Sequence, residues 1–255
     1  MSCLPLSIIT PIYNCETYLQ ESINSALSQT FTDFEFIIIN DGSTDSSKDI
    51  VLSYKDDRIV FIDNTDNKKI PTRRNEAIDI AKGKYIAIHD GDDVSLNDRF
   101  EKQINLLESE DLFCVGGFAD KIDTEGNELE LMDYPPETNY KIINKAFVGC
   151  RNPMIDPTTM FRRDDFLLLG GYTLDTIIYT VPDFDLWIRA ILTRKKFHNI
   201  QEALIKYRFN PDGMTLKHKK EMIKAHMVVW YKFVRQLTPL LNDKQFRIYA
   251  EIDNE

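Results

Sequence analysis

Apolar residues fall into two alternating rhythms along this chain. Short β-branched runs recur as "LSIIT" (Leu6–Thr10), "FEFIIIN" (Phe34–Asn40), "IVFID" (Ile59–Asp63), "YIAIH" (Tyr85–His89) and "LFCVGGF" (Leu112–Phe118). Such runs read as strands buried on both faces. Between them the apolar positions take helical spacing: Leu19, Ile23, Ala26 and Leu27; then Ile50, Val51 and Tyr54; then a stretch from about Thr72 to Ala81; then Phe100, Ile104 and Leu107. Asp45 stands where it can cap the second of these helices. Strands alternating with helices predict an α/β fold, with a mostly parallel central sheet and helices on both faces.

The pattern changes after Phe118. "KIDTEGNELEL" predicts a hairpin around Glu125-Gly126-Asn127, and the segments that follow are shorter: "PTTMFRR", "LLLGGY", a helix in "DFDLWIRAILTR", and strand-like "FHNI" and "ALIKYRF". From Lys219 the chain reads as an aromatic-rich helix containing "MVVWYKFV". No internal repeat, low-complexity tract or clear linker divides the chain.

Composition narrows the function class. The chain of 255 residues has 43% hydrophobic content, enough for a sizeable core, and a formal net charge of -10. That charge argues against a nucleic-acid partner, which calls for a basic face. It leaves room for a phosphorylated substrate, because a metal ion can bridge two anions. No window approaches the roughly 18 apolar residues of a membrane span, and "MSCLPLSIITPIYN" lacks the basic start of a signal peptide. Cys3, Cys15, Cys114 and Cys150 are scattered without a CxxC pair, which predicts reduced thiols in a cytoplasmic protein.

Three polar turns follow three of the strands: "PIYN", "DGSTD" and "DGDD". In an open parallel sheet ligands bind beyond the carboxyl ends of the strands, so all three emerge at one edge. Taken singly, each has a plain reading as a turn. Together they point to a site, because Asp90, Asp92 and Asp93 crowd like charges into a loop that gains nothing from them. "TPIYNCET" contains no glycine-rich dinucleotide fingerprint, and no phosphate-binding P-loop occurs anywhere in the chain. Clustered carboxylates with no His or Cys ligand set suit Mg²⁺ or Mn²⁺, which commonly takes one or two carboxylates and completes its shell with substrate phosphates and water. The implied substrate carries a diphosphate.

Four segments, "SIITPIYNCETYLQESINSALSQTF", "IIINDGSTDSS", "PTRRNEAIDIAKGKYIAIHDGDD" and "PDFDLWIRA", resemble in order the family-2 inverting glycosyltransferases of the GT-A fold. The resemblance runs from about Leu6 to Arg208. It implies a Rossmann-like nucleotide-sugar-binding half over 1–120, an acceptor-binding and catalytic-base half of the same domain over 121–215, and a C-terminal helical extension over 216–255. It also implies residue roles. Pro11 and Tyr13 line the nucleotide base, Asp41 hydrogen-bonds it and Arg74 supports the same pocket. Asp90 faces the donor ribose and sugar, Asp92 coordinates Mn²⁺ or Mg²⁺ on the diphosphate, Asp93 supports it, and Asp183 is the catalytic base.

The chemistry agrees with these roles. Glycosyl transfer passes through an oxocarbenium-like state, the leaving diphosphate gains charge that a divalent cation offsets, and a carboxylate takes the acceptor hydroxyl's proton. One displacement inverts the anomeric centre. The expected function is transfer of a sugar from a nucleotide-diphosphate donor, with UDP-sugar favoured, to a glycan or lipid-linked acceptor in bacterial surface-polysaccharide synthesis. The alternatives are a sugar nucleotidyltransferase, which calls for a Gly-rich basic loop that "TPIYNCET" lacks, and a catalytically inactive nucleotide-sugar binder.

Two departures from the family pattern stand out. Pro182 replaces an acidic neighbour of Asp183, and Asn210 stands where the family often carries a His. His89 and the helix residues Trp187 and Ile188 read as structural, while Gly170–Tyr172 reads either as an acceptor-side segment or as a plain turn. The face of "MVVWYKFV" is expected to serve core packing or a homodimer contact ahead of peripheral docking at the inner membrane face.

Overall fold

Burial of alternate residues decides the layers. The computed structural model describes residues 4–149, 151–211 and 213–237. Strands β1 (Leu4–Ile12) and β2 (Phe34–Asp41) run side by side in parallel. Phe36 and Ile38 join a core on one face of the sheet, Ile37 and Ile39 a core on the other, and all four are fully buried. Such a strand needs cover on both sides. One cover consists of α1 (Glu16–Leu27), α2 (Ser47–Ser53) and α4 (Arg99–Ser109), which bury Leu19, Ile23, Val51, Phe100 and Ile104. The other comprises α3 (Ile70–Ile80), α5 (Asn139–Gly149), α6 (Arg163–Leu168), α7 (Pro182–Leu192) and, after the one-turn α8 (Met214–Lys217), α9 (Lys219–Leu237).

Strands β3 (Ile59–Asn64) and β4 (Gly83–Ile88) extend the parallel half on either side of β2 and β1. The second half is mixed. β8 (Met160–Arg162) enters antiparallel between β4 and β6 (Cys114–Ile122), and β9 (Phe197–Arg208) lies parallel to β6. The two-residue β5 (Val94–Ser95) closes that end against β9, and β7 (Glu128–Met132) pairs with β6. Among the described residues the sheet order is β3-β2-β1-β4-β8-β6-β9-β5. Since β6 spans position 120, the boundary expected there falls inside a strand, and the residues on either side of it share one sheet.

Three details differ from the sequence reading. "FHNI" and "ALIKYRF" form one strand rather than two, because the exposed Gln201 and Glu202 are looped out where the β6–β9 register shifts. Pro11 lies inside β1 instead of ending it. Ile9 O accepts the His89 amide at 3.1 Å, so the alternate main-chain groups on that side, Pro11's included, face β4 just where β4 has ended. The missing N–H therefore costs no ladder bond. Third, β5 was not foreseen, since two residues carry no periodicity.

The hairpin around Gly126 forms as expected between β6 and β7. Trp187 is fully buried against Phe113, Phe161 and Phe197 at centroid distances of 6.3, 6.2 and 6.1 Å. A buried Trp of this kind is worth roughly 3–5 kcal/mol against Ala, and it fixes α7 against the sheet. Cys15 and Cys114 are free thiols, and burial pushes Cys15 up to about 12. Cys3, Cys150 and the extension beyond 237 lie outside the described residues.

Candidate active site

The three turns meet as the strand order requires. "PIYN" and "DGSTD" are stitched together: Thr44 N donates to Asn14 Oδ1 (2.8 Å), Asn14 N to Ser43 Oγ (3.1 Å) and Cys15 N to Ser47 Oγ (3.0 Å). Asp45 uses one oxygen for Ser47 N and the other for Glu16 N, each at 3.0 Å, so it serves the starts of both α2 and α1. The reverse bond, Ser46 N to Glu16 Oε2 at 2.8 Å, completes the exchange. Gly42 makes the tight exit from β2 at φ 77°, a conformation most side chains resist. This framework leaves the Tyr13 ring half-exposed beside the turn, as a base-stacking residue would need to be.

Asp41 is buried and saturated. Its carboxylate accepts Lys68 N (2.7 Å), Lys69 N (3.0 Å) and Arg73 Nε (2.7 Å). Arg73 also donates to Glu76 and to Asp66. The sequence reading singled out Arg74 for this pocket, but the arginine on Asp41 is its neighbour Arg73. Successive helix residues point about 100° apart, so only one of the pair can turn toward β2.

Arg74 turns instead toward the acidic loop. It donates through Nη2 to Asp90 Oδ1 (2.9 Å) and through Nη1 to Asp156 Oδ2, with its guanidinium 5.6 Å from the centre of the Tyr172 ring. Burial opposes its charge, and Asp156 and Asp90 outweigh that cost. Asp156 was missed from sequence. It sits in a short 3₁₀ turn (Asp156–Thr158) before β8, and burial raises its carboxyl to about 7 despite Arg74. "DPT" carries no motif, so nothing in the sequence flags it.

In the acidic loop, Gly91 lets the chain pass close to α1, because a Cβ there would lie 3.2 Å from Cys15 Sγ and 3.3 Å from Ile12 Cγ2. Asp93 is buried. Its Oδ1 accepts Arg208 N at 2.9 Å, Oδ2 has no partner, and burial beside Asp92 and Asp90 holds its carboxyl well above the usual range. Arg208, another residue the sequence reading passed over, binds the loop from β9: Nε donates to Asp92 O (3.0 Å) and Nη2 to Glu21 Oε2 (2.6 Å). His89 supports the loop from below. It is fully buried, touches Ser22 Oγ (2.8 Å) and Ser95 Oγ (3.1 Å), and is pushed down to about 4 by burial and by Arg99. It is thus neutral and structural, as its strand position suggested.

Among the described residues Asp92 makes no salt bridge, although the Arg208 charge acts on it. Burial and the Asp90 charge raise its carboxyl to about 6. Among the described residues no group of three His, Cys, Asp or Glu side chains could enclose a metal ion. A cation at this loop would be held by Asp92, with its other ligands supplied from outside the protein.

Asp183 lies on the first turn of α7, near enough to Asp156 and Arg74 for their charges to act on one another. It is not the helix cap: Val181 holds that position, without a side-chain cap bond, and Pro182 follows it. Its Oδ2 accepts Asn152 Nδ2, and burial holds its carboxyl above the ordinary value. Asp185 is bound instead to Arg189 (2.8 Å), which also donates to Leu169 O and Gly171 O. The Gly170–Tyr172 turn is clipped from the other side by Asn75, through Tyr172 N and Tyr172 O at 2.9 Å each. The structure thus gathers Asp90, Arg74, Asp156, Tyr172 and Asp183 into one buried network, while Tyr13 and Asp41 occupy a separate end of the edge.

Comparison with known proteins follows the same outline. The family model described as Glycosyl transferase family 2 matches residues 7–168. Over 226 residues the chain is 30% identical to an Escherichia coli protein named UDP-Glc:alpha-D-GlcNAc-diphosphoundecaprenol beta-1,3-glucosyltransferase WfaP, a match covering 88% of this chain and 85% of the other. Staphylococcus aureus TarS 1-349 in complex with UDP superposes with a TM-score of 0.70 at 18% identity, over 93% of this chain and 71% of that one. A mannosyltransferase from Pyrobaculum calidifontis in complex with GDP-Man and Mn²⁺ gives a TM-score of 0.62 at 12% identity, over 96% and 78% of the two chains. At these low identities the two structural likenesses show a shared fold.

Proposed function

Because this chain belongs to glycosyl transferase family 2 and is a glycosyltransferase of the GT-A fold, we propose that it moves a sugar, with inversion, from a nucleotide-diphosphate donor to an acceptor hydroxyl. The donor is read as a UDP-sugar and the acceptor as a glycan or lipid-linked saccharide of a bacterial surface polymer. The complex of TarS with UDP and the acceptor in the E. coli relative's name support that choice. The observation that carries the reading is the run of charged groups from the acidic loop through Arg74 and Asp156 to Asp183. In this reading the donor's diphosphate lies at Asp92 and the acceptor side of its sugar at Asp183.

The roles follow from that placement. Tyr13 stacks on the base, and Asp41 with Arg73 shapes the pocket beneath it. Asp92 holds Mn²⁺ or Mg²⁺, with Asp93 and Arg208 fixing the loop; when bound, the cation offsets charge on the departing diphosphate. Asp183 accepts the proton of the acceptor hydroxyl as the new C–O bond forms and the bond to the diphosphate oxygen breaks. Its burial suits a base working near neutral pH, and Asn152 holds its orientation. Arg74 keeps Asp90 in place and limits the repulsion among Asp90, Asp156 and Asp183.

A thermal-shift screen of nucleotide sugars tests the reading, since a ligand of the native state raises stability by mass action. We expect Mn²⁺-dependent stabilisation by a UDP-sugar and slow donor hydrolysis. Absence of both with every nucleotide sugar would leave only an inactive relative.

Among the described residues no helix is long and apolar enough to cross a membrane. In α9, Ala225, Val229 and Phe233 pack into the core, and Trp230 Nε1 donates to Phe147 O at 2.7 Å. Ile223 and Tyr231 stay exposed on the other side, among Lys220, Lys224 and Arg235. That mixed face supports a cytoplasmic enzyme resting on an anionic membrane surface. Flotation with anionic vesicles tests it, and a stable dimer in solution would favour a second copy as the occupant.

A further inference from the structure

Three successive residues of α3 hold three different parts of the molecule. Successive side chains leave a helix about 100° apart, so each reaches a different neighbour. Arg73 binds Asp41 at the end of β2, and Arg74 binds Asp90 of the acidic loop, at 2.7 and 2.9 Å. Asn75 turns the third way and grips the Gly170–Tyr172 turn with both ends of its amide. Its Nδ2 donates to Tyr172 O and its Oδ1 accepts Tyr172 N, each at 2.9 Å. The side chain thus pairs with main chain as a neighbouring strand would. The approach is close. Gly170 and Gly171 both take positive φ, 85° and 71°, and a Cβ on Gly171 would lie 2.9 Å from Asn75 Oδ1. Glycine at 171 is therefore required twice, by conformation and by contact.

The same glycine turn is gripped from its other side by α7. Arg189 donates through Nη2 to Gly171 O at 2.7 Å and through Nη1 to Leu169 O, while Asp185 holds its Nε at 2.8 Å. Asp185 lies two residues beyond Asp183 at the start of α7, which has no side-chain cap of its own. A helix start without a cap takes its placement from contacts with the rest of the fold. A continuous line of bonds therefore runs from Asp90 through Arg74 into α3, from Asn75 across the glycine turn, and through Arg189 to Asp185 beside Asp183. Tyr172 anchors its middle. The residue is buried, with its ring centre 5.2 Å from that of Phe166 and 5.6 Å from the Arg74 guanidinium.

We propose that Asn75 and Arg189 are positioning residues for the transfer step, forming with the glycine turn a strut that sets the gap between the acidic loop at Asp90 and Asp183 on α7. This rests on the glycosyl-transfer reading, because it takes Asp183 as the base. Neither residue needs to touch a substrate. They act through alignment, since a misplacement of about 1 Å from a change far from the chemistry can cost roughly a hundredfold in rate. The glycine turn is then a spacer between two helices, and its sequence answers to Asn75 and Arg189 instead of to an acceptor.

The test uses the full chain and begins without turnover. In urea unfolding, Asn75→Ala and Arg189→Met should each lower the midpoint, and the double variant should fall little further than the worse single, because one broken grip already frees the turn. Additive losses would mean that the two grips are independent and would overturn the strut. Turnover is then followed as UDP release with Mn²⁺ and UDP-glucose, or with the nucleotide sugar that the stability screen selects. Asn75→Ala should lower kcat about tenfold or more while KM and the calorimetric affinity for UDP stay within about twofold. In an Asp183→Asn background the same substitution should cost almost nothing more, since the group it aligns is gone. Ile104→Ala in α4, on the opposite cover of the sheet, should lower the midpoint and leave kcat alone. An undiminished effect of Asn75→Ala without Asp183, or an equal loss of kcat in Ile104→Ala, would reduce the strut to a contribution to stability and overturn its positioning role. A wild type that turns over no nucleotide sugar refutes the transferase reading, and the urea cycle still decides whether the two helices are coupled.

Discussion

Replacing Arg74 with Met keeps the side-chain length and removes the charge between three carboxylates. Arg74 is 4% exposed, against 15% for Asp156 and 31% for Asp90. Asp90, a third exposed, is screened by water and its pair is worth about 0–1 kcal/mol. The Asp156 pair is buried, and deleting one partner of such a pair costs roughly 3–5 kcal/mol. Asp156 can escape that cost by taking a proton. Its folded carboxyl stands at about 7, against about 4 in the unfolded chain. Between those values the native state holds a proton that the unfolded state has released, so stability falls as pH rises through the window. Without Arg74 the folded value climbs further and the window extends upward. The expected loss is therefore about 3–5 kcal/mol at pH 8 and about 1–2 kcal/mol at pH 5.5, where only hydrogen bonds and packing are missing. Urea unfolding at the two pH values measures it. An equal loss at both, or a loss under about 1 kcal/mol at pH 8, would show that Asp156 is not held by Arg74 as described.

Three further outcomes are expected. Asp183→Asn should lower transfer by roughly a hundredfold or more with nucleotide binding intact; near-normal transfer with the true donor and acceptor would remove Asp183 as the base. Asp92→Ala should abolish the Mn²⁺ dependence of UDP binding in calorimetry while the melting temperature holds or rises, because a crowded carboxylate is gone. At the base end, Tyr13→Ala should weaken UDP binding by about 1–3 kcal/mol, the worth of one stacked base, with little change in stability. Asp41→Ala should instead destabilise the fold by about 3–5 kcal/mol, so urea midpoints separate a contact residue from a buried support.

The sequence by itself determined the parallel half of the sheet and the edge at which the site is proposed. Runs such as "FEFIIIN" are apolar at every position, and only a strand covered on both faces suits that pattern; the turns "PIYN", "DGSTD" and "DGDD" then fall on one side by topology. The like charges of Asp90, Asp92 and Asp93 were legible because adjacent carboxylates are costly wherever the chain goes. Pairing across the chain was not legible. Whether Arg73 or Arg74 reaches Asp41 depends on the rotation of α3 against β2, which two adjacent arginines cannot encode. Asp156 and Arg208 carry no local signature, and they matter only because β8 and β9 bring them to the acidic loop from 66 and 116 residues away. Periodicity fixes elements and faces, since it is a property of neighbours, whereas a site is assembled from contacts between distant positions, and those exist only once the sheet has closed.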